Sequence, residues 1–225
     1  MKILGIDTSS KFLNIALSED ESIIKEEFHL LDRRHAIELV PRIKELLKTS
    51  RVSINKIDAF VIGVGPGSFT GMRIGVSAVK GFGIASGKPC IGVASIDSIA
   101  YNAIDCGIDI VPVIDAKRGQ VYAAIYRRNG KNIARISDYI LTPVEKLMKS
   151  IKGETLFLGD GLILYRDKIK SLNKKAAFLE EAYWYPGAGN LIKLGFSKIK
   201  KAKKANLDKL TPLYLYPEDC QVRKL

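Results

Sequence analysis

The chain has 225 residues, 47% of them hydrophobic, enough to bury a sizeable core in one large domain or two small lobes. Lys plus Arg number 36 against 24 Asp plus Glu, a formal charge of +12, and the three cysteines, Cys90, Cys106 and Cys220, are too scattered for a disulfide framework or a Cys-x-x-Cys metal site. No apolar run reaches the roughly 18 residues that cross a bilayer, and MKILGIDTSS enters a strand pattern without a leader-like region, so a cytoplasmic protein with no membrane role is expected.

The first 28 residues read as three strands: 2–7 is a buried apolar run, 12–18 alternate, and 22–28 follow the acidic turn Glu19-Asp20-Glu21. Ala36, Leu39, Val40, Ile43, Leu46 and Leu47 then recur at helical spacing, with Asp32 placed to cap the helix and Pro41 to kink or loosen it. A strand over 58–64 runs into GVGPGSFTGMRIG at 63–75, and a second helix is expected over 68–85 with Ser68 as its N-cap.

That glycine-dense stretch fails the tests for a phosphate cradle. A Walker loop requires GxxxxGK followed by Ser or Thr, and no such lysine is present. The spacing Gly65, Gly67, Gly71 is one residue longer than the dinucleotide fingerprint, with no acidic residue at the expected distance. What needs explaining is Ser68, Gly71, Gly75 and Ala78, small residues on one helical face, because each interior glycine costs about 1 kcal/mol relative to alanine. Close packing against another helix compensates, either the 36–47 helix of the same lobe or one from another subunit.

The middle of the chain repeats the start. IVPVID at 110–115 matches KILGID at 2–7, with Asp115 in the place of Asp7. Residues 120–127 alternate like the second strand, Asn129-Gly130 makes a turn, and 131–141 supplies a third strand. A helix near 143–150 precedes a strand at 156–158 that ends in Gly159-Asp160-Gly161. Each half reads β-β-β-α-β-α, a duplicated two-lobe α/β architecture divided into 1–105 and 106–225. Near the end, Leu191, Ile192, Phe196 and Ile199 mark the apolar face of a helix whose other face carries Lys193, Lys198, Lys200, Lys201, Lys203 and Lys204. Two readings fit that basic face: attraction to an anionic partner such as RNA, or a solvated lysine-rich surface.

Few residues suit catalysis. His29 and His35 are poorly placed to share a metal, and capping or an interface suits His35 better. G-x-S-x-G is absent and no Ser/His/Asp or Cys/His set can be assembled. Two lobes that each open with a β-meander and a strand-end Asp resemble the actin-like, RNase H-like superfamily of actin, Hsp70 and sugar kinases, whose Asp-bearing turns face a nucleotide cleft. That resemblance makes Asp7, Thr8, Ser9 and Asp115 the candidate nucleotide residues, although both aspartates also fit plain strand-end turns.

A more specific likeness is carried by IDTSS at 6–10, RRHAIELVPRIKELL at 33–47, GVGPGSFTGMRIGVSAVKGFG at 63–83, GVASID at 92–97, VIDAKRGQVYAAIY at 113–126, GDG at 159–161 and TPLYLYP at 211–217. These segments, in this order, resemble the TsaB family, also called YeaZ. The resemblance implies a non-catalytic relative and partner of TsaD, the enzyme that transfers a threonylcarbamoyl group to adenosine 37 of tRNA, in a bacterial system completed by the ATPase TsaE. It places Ser95 and Ile99 where TsaD has its metal-binding histidines, so no metal and no cofactor are expected. It further implies that the helices around GPGSFTG form the surface that pairs with TsaD, or with a second copy in a homodimer, making His35, Leu39, Ser68, Gly71, Arg73, Gly75 and Ala78 the candidate docking residues. tRNA contact is expected only within the complex. The rival reading is a small-molecule or acyl-phosphate kinase using Asp7 and Asp115 with ATP and magnesium, for which Gly187-Ala188-Gly189-Asn190 is a candidate adenosine-binding motif.

Overall fold

The computed structural model describes residues 1–31, 34–130, 132–202 and 206–216. Asp32, Lys203, Lys204, Pro217 and Cys220, all singled out above, lie outside these residues.

The chain begins with a meander of β1 (Lys2–Asp7), β2 (Phe12–Glu19) and β3 (Ser22–Leu30), followed by α1 (His35–Thr49), β4 (Ala59–Gly63), α2 (Phe69–Ser86), β5 (Cys90–Val93) and α3 (Ser95–Tyr101). The sheet order is β3-β2-β1-β4-β5, with β1 antiparallel to β2 and parallel to β4. Successive side chains point to opposite faces and both faces are covered, so residues 3–6 of β1 and 59–63 of β4 run without polar alternation. Leu4, Ile6, Phe60 and Ile62 face one core, packed under Leu39, Ile43 and Leu46 of α1 and Val76 and Val79 of α2. Ile3, Ala59 and Val61 face a second core on the other side of the sheet.

The second half repeats the scheme. It runs through β6 (Asp109–Lys117), β7 (Gln120–Ala123), β8 (Tyr126–Asn129), β9 (Asn132–Arg135), β10 (Ile140–Thr142), α4 (Val144–Ser150), β11 (Thr155–Leu158), α5 (Leu162–Leu172), β12 (Ala176–Phe178) and α6 (Ala188–Lys201). The path β10-β7-β6-β11-β12 mirrors the first sheet, with β8 and β9 as an added hairpin. The single strands expected over 120–127 and 131–141 are therefore each broken in two. Residues 121–124 are buried in succession and the chain leaves the sheet at Ile125, whose amide donates to Ser137 Oγ at 2.9 Å. Tyr126 is then drawn inward by a 2.6 Å hydrogen bond from its hydroxyl to Asp97.

Helix details follow the local chemistry. Ser68 caps α2, its Oγ accepting from the Gly71 amide at 3.2 Å, and Gly87 ends it in the left-handed region at φ 68°. Helix α1 continues through Pro41, on its exposed side, and Arg34 stands at its N-cap without a side-chain cap bond.

The closing helices are exchanged between the halves. Helix α3 belongs to the first half but buries Ile96, Ile99 and Ala100 in the core of the second sheet. Helix α6 belongs to the second half but lays Leu191, Ile192, Phe196 and Ile199 on the first sheet. Its first amides are capped across this junction: Ala188 N–H donates to Asn14 Oδ1, and Gly189 N–H donates to Glu26 Oε1 at 3.0 Å. The Gly187-Ala188-Gly189-Asn190 segment proposed for adenosine is thus the start of α6, seated on β2 and β3.

Candidate functional site

The turn after β1 is held by hydrogen bonds and by the close approach of glycines. Asp7 and Thr8 are fully buried. Asp7 Oδ1 accepts from the Ser9 amide at 2.8 Å and the Ser9 hydroxyl at 2.7 Å, while Oδ2 accepts from the Ser95 hydroxyl at 2.6 Å. Ser95, at the start of α3, also accepts from Gly65 N–H at 3.0 Å and donates its own amide to Gly65 O at 2.7 Å. Gly63 backs the carboxylate so closely that a Cβ there would stand 1.8 Å from Asp7 Oδ2. Burial pushes the Asp7 carboxyl above the usual carboxylate range, against the opposing pull of its hydrogen bonds to Ser95 and Ser9. With no exposed surface and both oxygens engaged, the Asp7 carboxylate has no oxygen free to ligate a cation in this arrangement. The Ser95 and Ile99 positions, read as standing in for metal-binding histidines, carry a hydroxyl that locks this turn and a core side chain that is 3% exposed.

The bare face of α2 fits onto the same turn. A Cβ on Gly71 would lie 2.0 Å from Thr8 O, and one on Gly75 2.3 Å from Thr8 Oγ1. Thr8 in turn donates its hydroxyl to Gly71 O at 2.7 Å. The glycines thus admit a strand-end turn of the same chain, and the helix partner expected for them is replaced by Thr8. Of the other candidate docking residues, His35 and Leu39 are buried, Ala78 is half-buried, and Ser68 and Arg73 are exposed.

A different set of residues forms the outward stripe of these helices. On α1, Ile37 is 74% and Val40 54% exposed; on α2, Ile84 is 76% exposed. Ser77, Gly81 and Ala85, at four-residue intervals, are also exposed, and nothing lies within 4 Å of a Cβ built on Gly81. The signal was legible: an interior glycine opposite the buried face has no internal reason to be there. At the start of α2, the Arg73 guanidinium lies 3.8 Å from the Phe69 ring centroid and its Nε donates to Tyr214 Oη at 2.9 Å, pinning the closing segment to the helix.

The second half keeps the same turn chemistry nearer the surface, with Asp115 and Asp160 partly buried and Lys117 exposed. Asp115 Oδ1 accepts from the Lys117 amide at 2.8 Å, as Asp7 accepts from Ser9, and Lys117 Nζ reaches Oδ2 at 2.5 Å. Asp160 accepts from the Asp115 amide at 3.1 Å, and burial raises its carboxyl above the usual range. Among the described residues, no three His, Cys, Asp or Glu side chains come together as a metal site. None of the described helices is long and apolar enough to cross a membrane.

Two mirrored sheets, each an antiparallel meander extended by parallel strands, define a duplicated actin-like α/β fold whose first Asp-bearing turn is closed off by its own hydroxyls. A model of the family described as "TsaD: tRNA N6-adenosine threonylcarbamoyltransferase" matches residues 28–220. The chain is 31% identical to the tRNA threonylcarbamoyladenosine biosynthesis protein TsaB of Bacillus subtilis, over 96% of this chain and 94% of that protein. It is 29% identical to the protein of the same name in Escherichia coli, again over 96% and 94%. In structure it is similar to YeaZ from Pseudomonas aeruginosa, with a TM-score of 0.83 at 24% identity, covering 95% of this chain and 99% of that one. The chain belongs to the family that the TsaD model describes, and within it to the TsaB members.

Proposed function

We propose that this chain is an accessory subunit in tRNA threonylcarbamoyladenosine formation, performing no chemistry itself and docking on the TsaD enzyme of its organism. The relatives' names supply the pathway. The observation that carries the docking role is the outward stripe of α1 and α2, where Ile37, Val40 and Ile84 stand exposed beside the bare Gly81. Apolar side chains around a glycine let a second helix pair approach closely and bury area on both partners. In isolation the same stripe pairs two copies of the chain. The closed Asp7 turn supports the non-catalytic part of the reading, and the exposed positions of the stripe replace Gly71 and Gly75 as the docking residues. Within this scheme TsaE and tRNA join the assembled pair in the cytoplasm.

The test mixes the chain with its organism's TsaD and follows co-elution and tRNA modification together. Gly81→Leu and Ile37→Asp, both at exposed sites, are expected to keep the circular dichroism spectrum of the folded chain while cutting pairing and modification at least tenfold. Undiminished pairing in both variants would place the interface elsewhere. Turnover of ATP by the isolated chain at enzymatic rates would overturn the non-catalytic role.

A further inference from the structure

The exposed side of α6 carries four lysines and no acidic residue, and resting on the reading above that the chain serves tRNA modification, we propose that it holds the phosphate backbone of structured RNA. Lys193, Lys198, Lys200 and Lys201 are all exposed, and α6 contains no acidic residue. None of the ion pairs found among the described residues uses these four lysines, whereas Arg42 of α1 pairs with Glu38 and Glu45, and Lys168 of α5 with Glu145. The surrounding sequence extends the imbalance: residues 188–225 hold nine of the 36 basic side chains and three of the 24 acidic ones, half the net charge in a sixth of the chain.

Two features favour a nucleic-acid backbone over a lipid surface, and the tRNA pathway named for the relatives makes that backbone RNA. A basic amphipathic helix suits a membrane surface only when its apolar face is free to enter the lipid, and here Leu191, Ile192, Phe196 and Ile199 are at most 6% exposed against the first sheet. Only the charged face is offered. Lys193 and Lys201 are separated by about 12 Å along the helix axis, a length that follows several backbone phosphates, and Lys200 is steadied with its Nζ 4.4 Å from the Phe196 ring centroid. The helix also lies on the opposite side of the first sheet from α1 and α2, so docking through those helices leaves it open. Sequence-independent attraction of this kind is strong at low salt and falls steeply as counterions compete.

The experiment titrates an unmodified tRNA transcript, by fluorescence anisotropy at several salt concentrations, with the isolated chain and with the chain bound to its TsaD enzyme. Lys193→Gln, Lys198→Gln, Lys200→Gln and Lys201→Gln combined are compared with a control of equal charge on the second lobe: Lys146→Gln, Lys149→Gln, Lys152→Gln and Lys174→Gln. The α6 variant is expected to lose roughly tenfold or more in affinity at about 0.1 M salt and about 3 to 4 units of the logarithmic salt slope. The control is expected to lose far less, and enzyme pairing by size exclusion should be unchanged in both. Equal weakening by the two variants would mean that only net charge matters and would overturn the proposal, as would undiminished tRNA binding by the α6 variant. Phosphatidylserine vesicles serve as the lipid arm: binding to them that the α6 changes abolish, with tRNA binding untouched, would reassign the face to lipid. If the wild-type chain fails to pair with the enzyme, the functional reading falls, while the comparison on the isolated chain still decides whether α6 binds RNA.

Discussion

Gly75 and Gly81 stand six residues apart in α2, and they predict opposite responses to the same substitution. Gly75→Ala drives a methyl to 2.3 Å from Thr8 Oγ1 and 2.8 Å from Ile62 Cδ1, both on fully buried residues; we expect a loss of roughly 2 kcal/mol or more in denaturant unfolding. Gly81→Ala meets nothing within 4 Å and restores helix propensity, so it should gain about 0.5–1 kcal/mol. The gain is expected of the monomer, measured at a concentration too low for two copies to pair, and a loss there would mean that the chain packs part of itself against Gly81. Asp7 gives a residue-scale prediction of another kind. Its folded carboxyl titrates above its ordinary value of 3.8 because burial disfavours the charge. A raised acid pKa favours the folded state most at low pH, and that contribution is lost as pH climbs through the window from 3.8 to the folded value. Asn at position 7 keeps an acceptor for Ser9 and offers Ser95 a donor in place of one oxygen. The stability of wild type minus Asp7→Asn should therefore decline with rising pH across that acid window and then level off. Subtracting the two proteins cancels Asp160, which titrates in the same sense. A flat difference would show that Asp7 ionises as freely folded as unfolded.

At the scale of elements, β1 to β4, α1, α2 and the apolar face of α6 were legible because their signals are local, whereas β5, α3, β12 and the breaks within 120–127 and 131–141 were not read. Alternation in β2, the apolar run of β1, helical spacing in α1 and the Ser68 cap of α2 can each be read within a few residues. What lay beyond reach was the partner of each face. The small residues of α2 announce a close approach without saying to what, and Thr8, sixty-three residues before Gly71, is invisible at that range. The same holds for the GAGN segment at 187–190. Its glycines read as a ligand loop, whereas the amides of Ala188 and Gly189 are satisfied by β2 and β3 side chains more than 160 residues earlier. That cap carries its own prediction. Asn14→Leu leaves the Ala188 amide buried without an acceptor and should cost about 1–3 kcal/mol. Glu26→Ala removes an acceptor and a favourable charge from the start of α6, on a half-open edge, and should cost nearer 1 kcal/mol. Neither position touches the α1–α2 stripe, so pairing with the enzyme at low temperature should survive both changes, and a selective loss of pairing would disconnect the cap from its assigned role.

The exchange of α3 and α6 sets the behaviour of the whole molecule. The internal repeat made two lobes readable, and a division near residue 105 follows the sequence, but buried surface does not respect it. Without α6, Ile3, Ala16, Ala59, Val61 and Val93 of the first sheet face water; without the second sheet, Ile96, Ile99 and Ala100 of α3 do the same. A fragment ending at residue 105 therefore lacks one of its two cores and displays the apolar face of α3 as well. We expect it to be insoluble or to show the near-ultraviolet spectrum of a loosely packed chain, and its complement from 106 to lack the α3 side of its sheet. Co-expressed, the two fragments should recover native-like dichroism, because each supplies the helix the other needs. The intact chain should unfold in one transition, with coincident curves from Trp184 fluorescence, which reports the second core, and from far-ultraviolet dichroism, which averages over both. Leu191→Ala, which removes a fully buried side chain from α6, should lower the midpoint of both curves together by the equivalent of about 2–5 kcal/mol. Two separated transitions, or a well-packed and monomeric 1–105 fragment, would show that the lobes are independent units and that the helix exchange contributes little to holding them together.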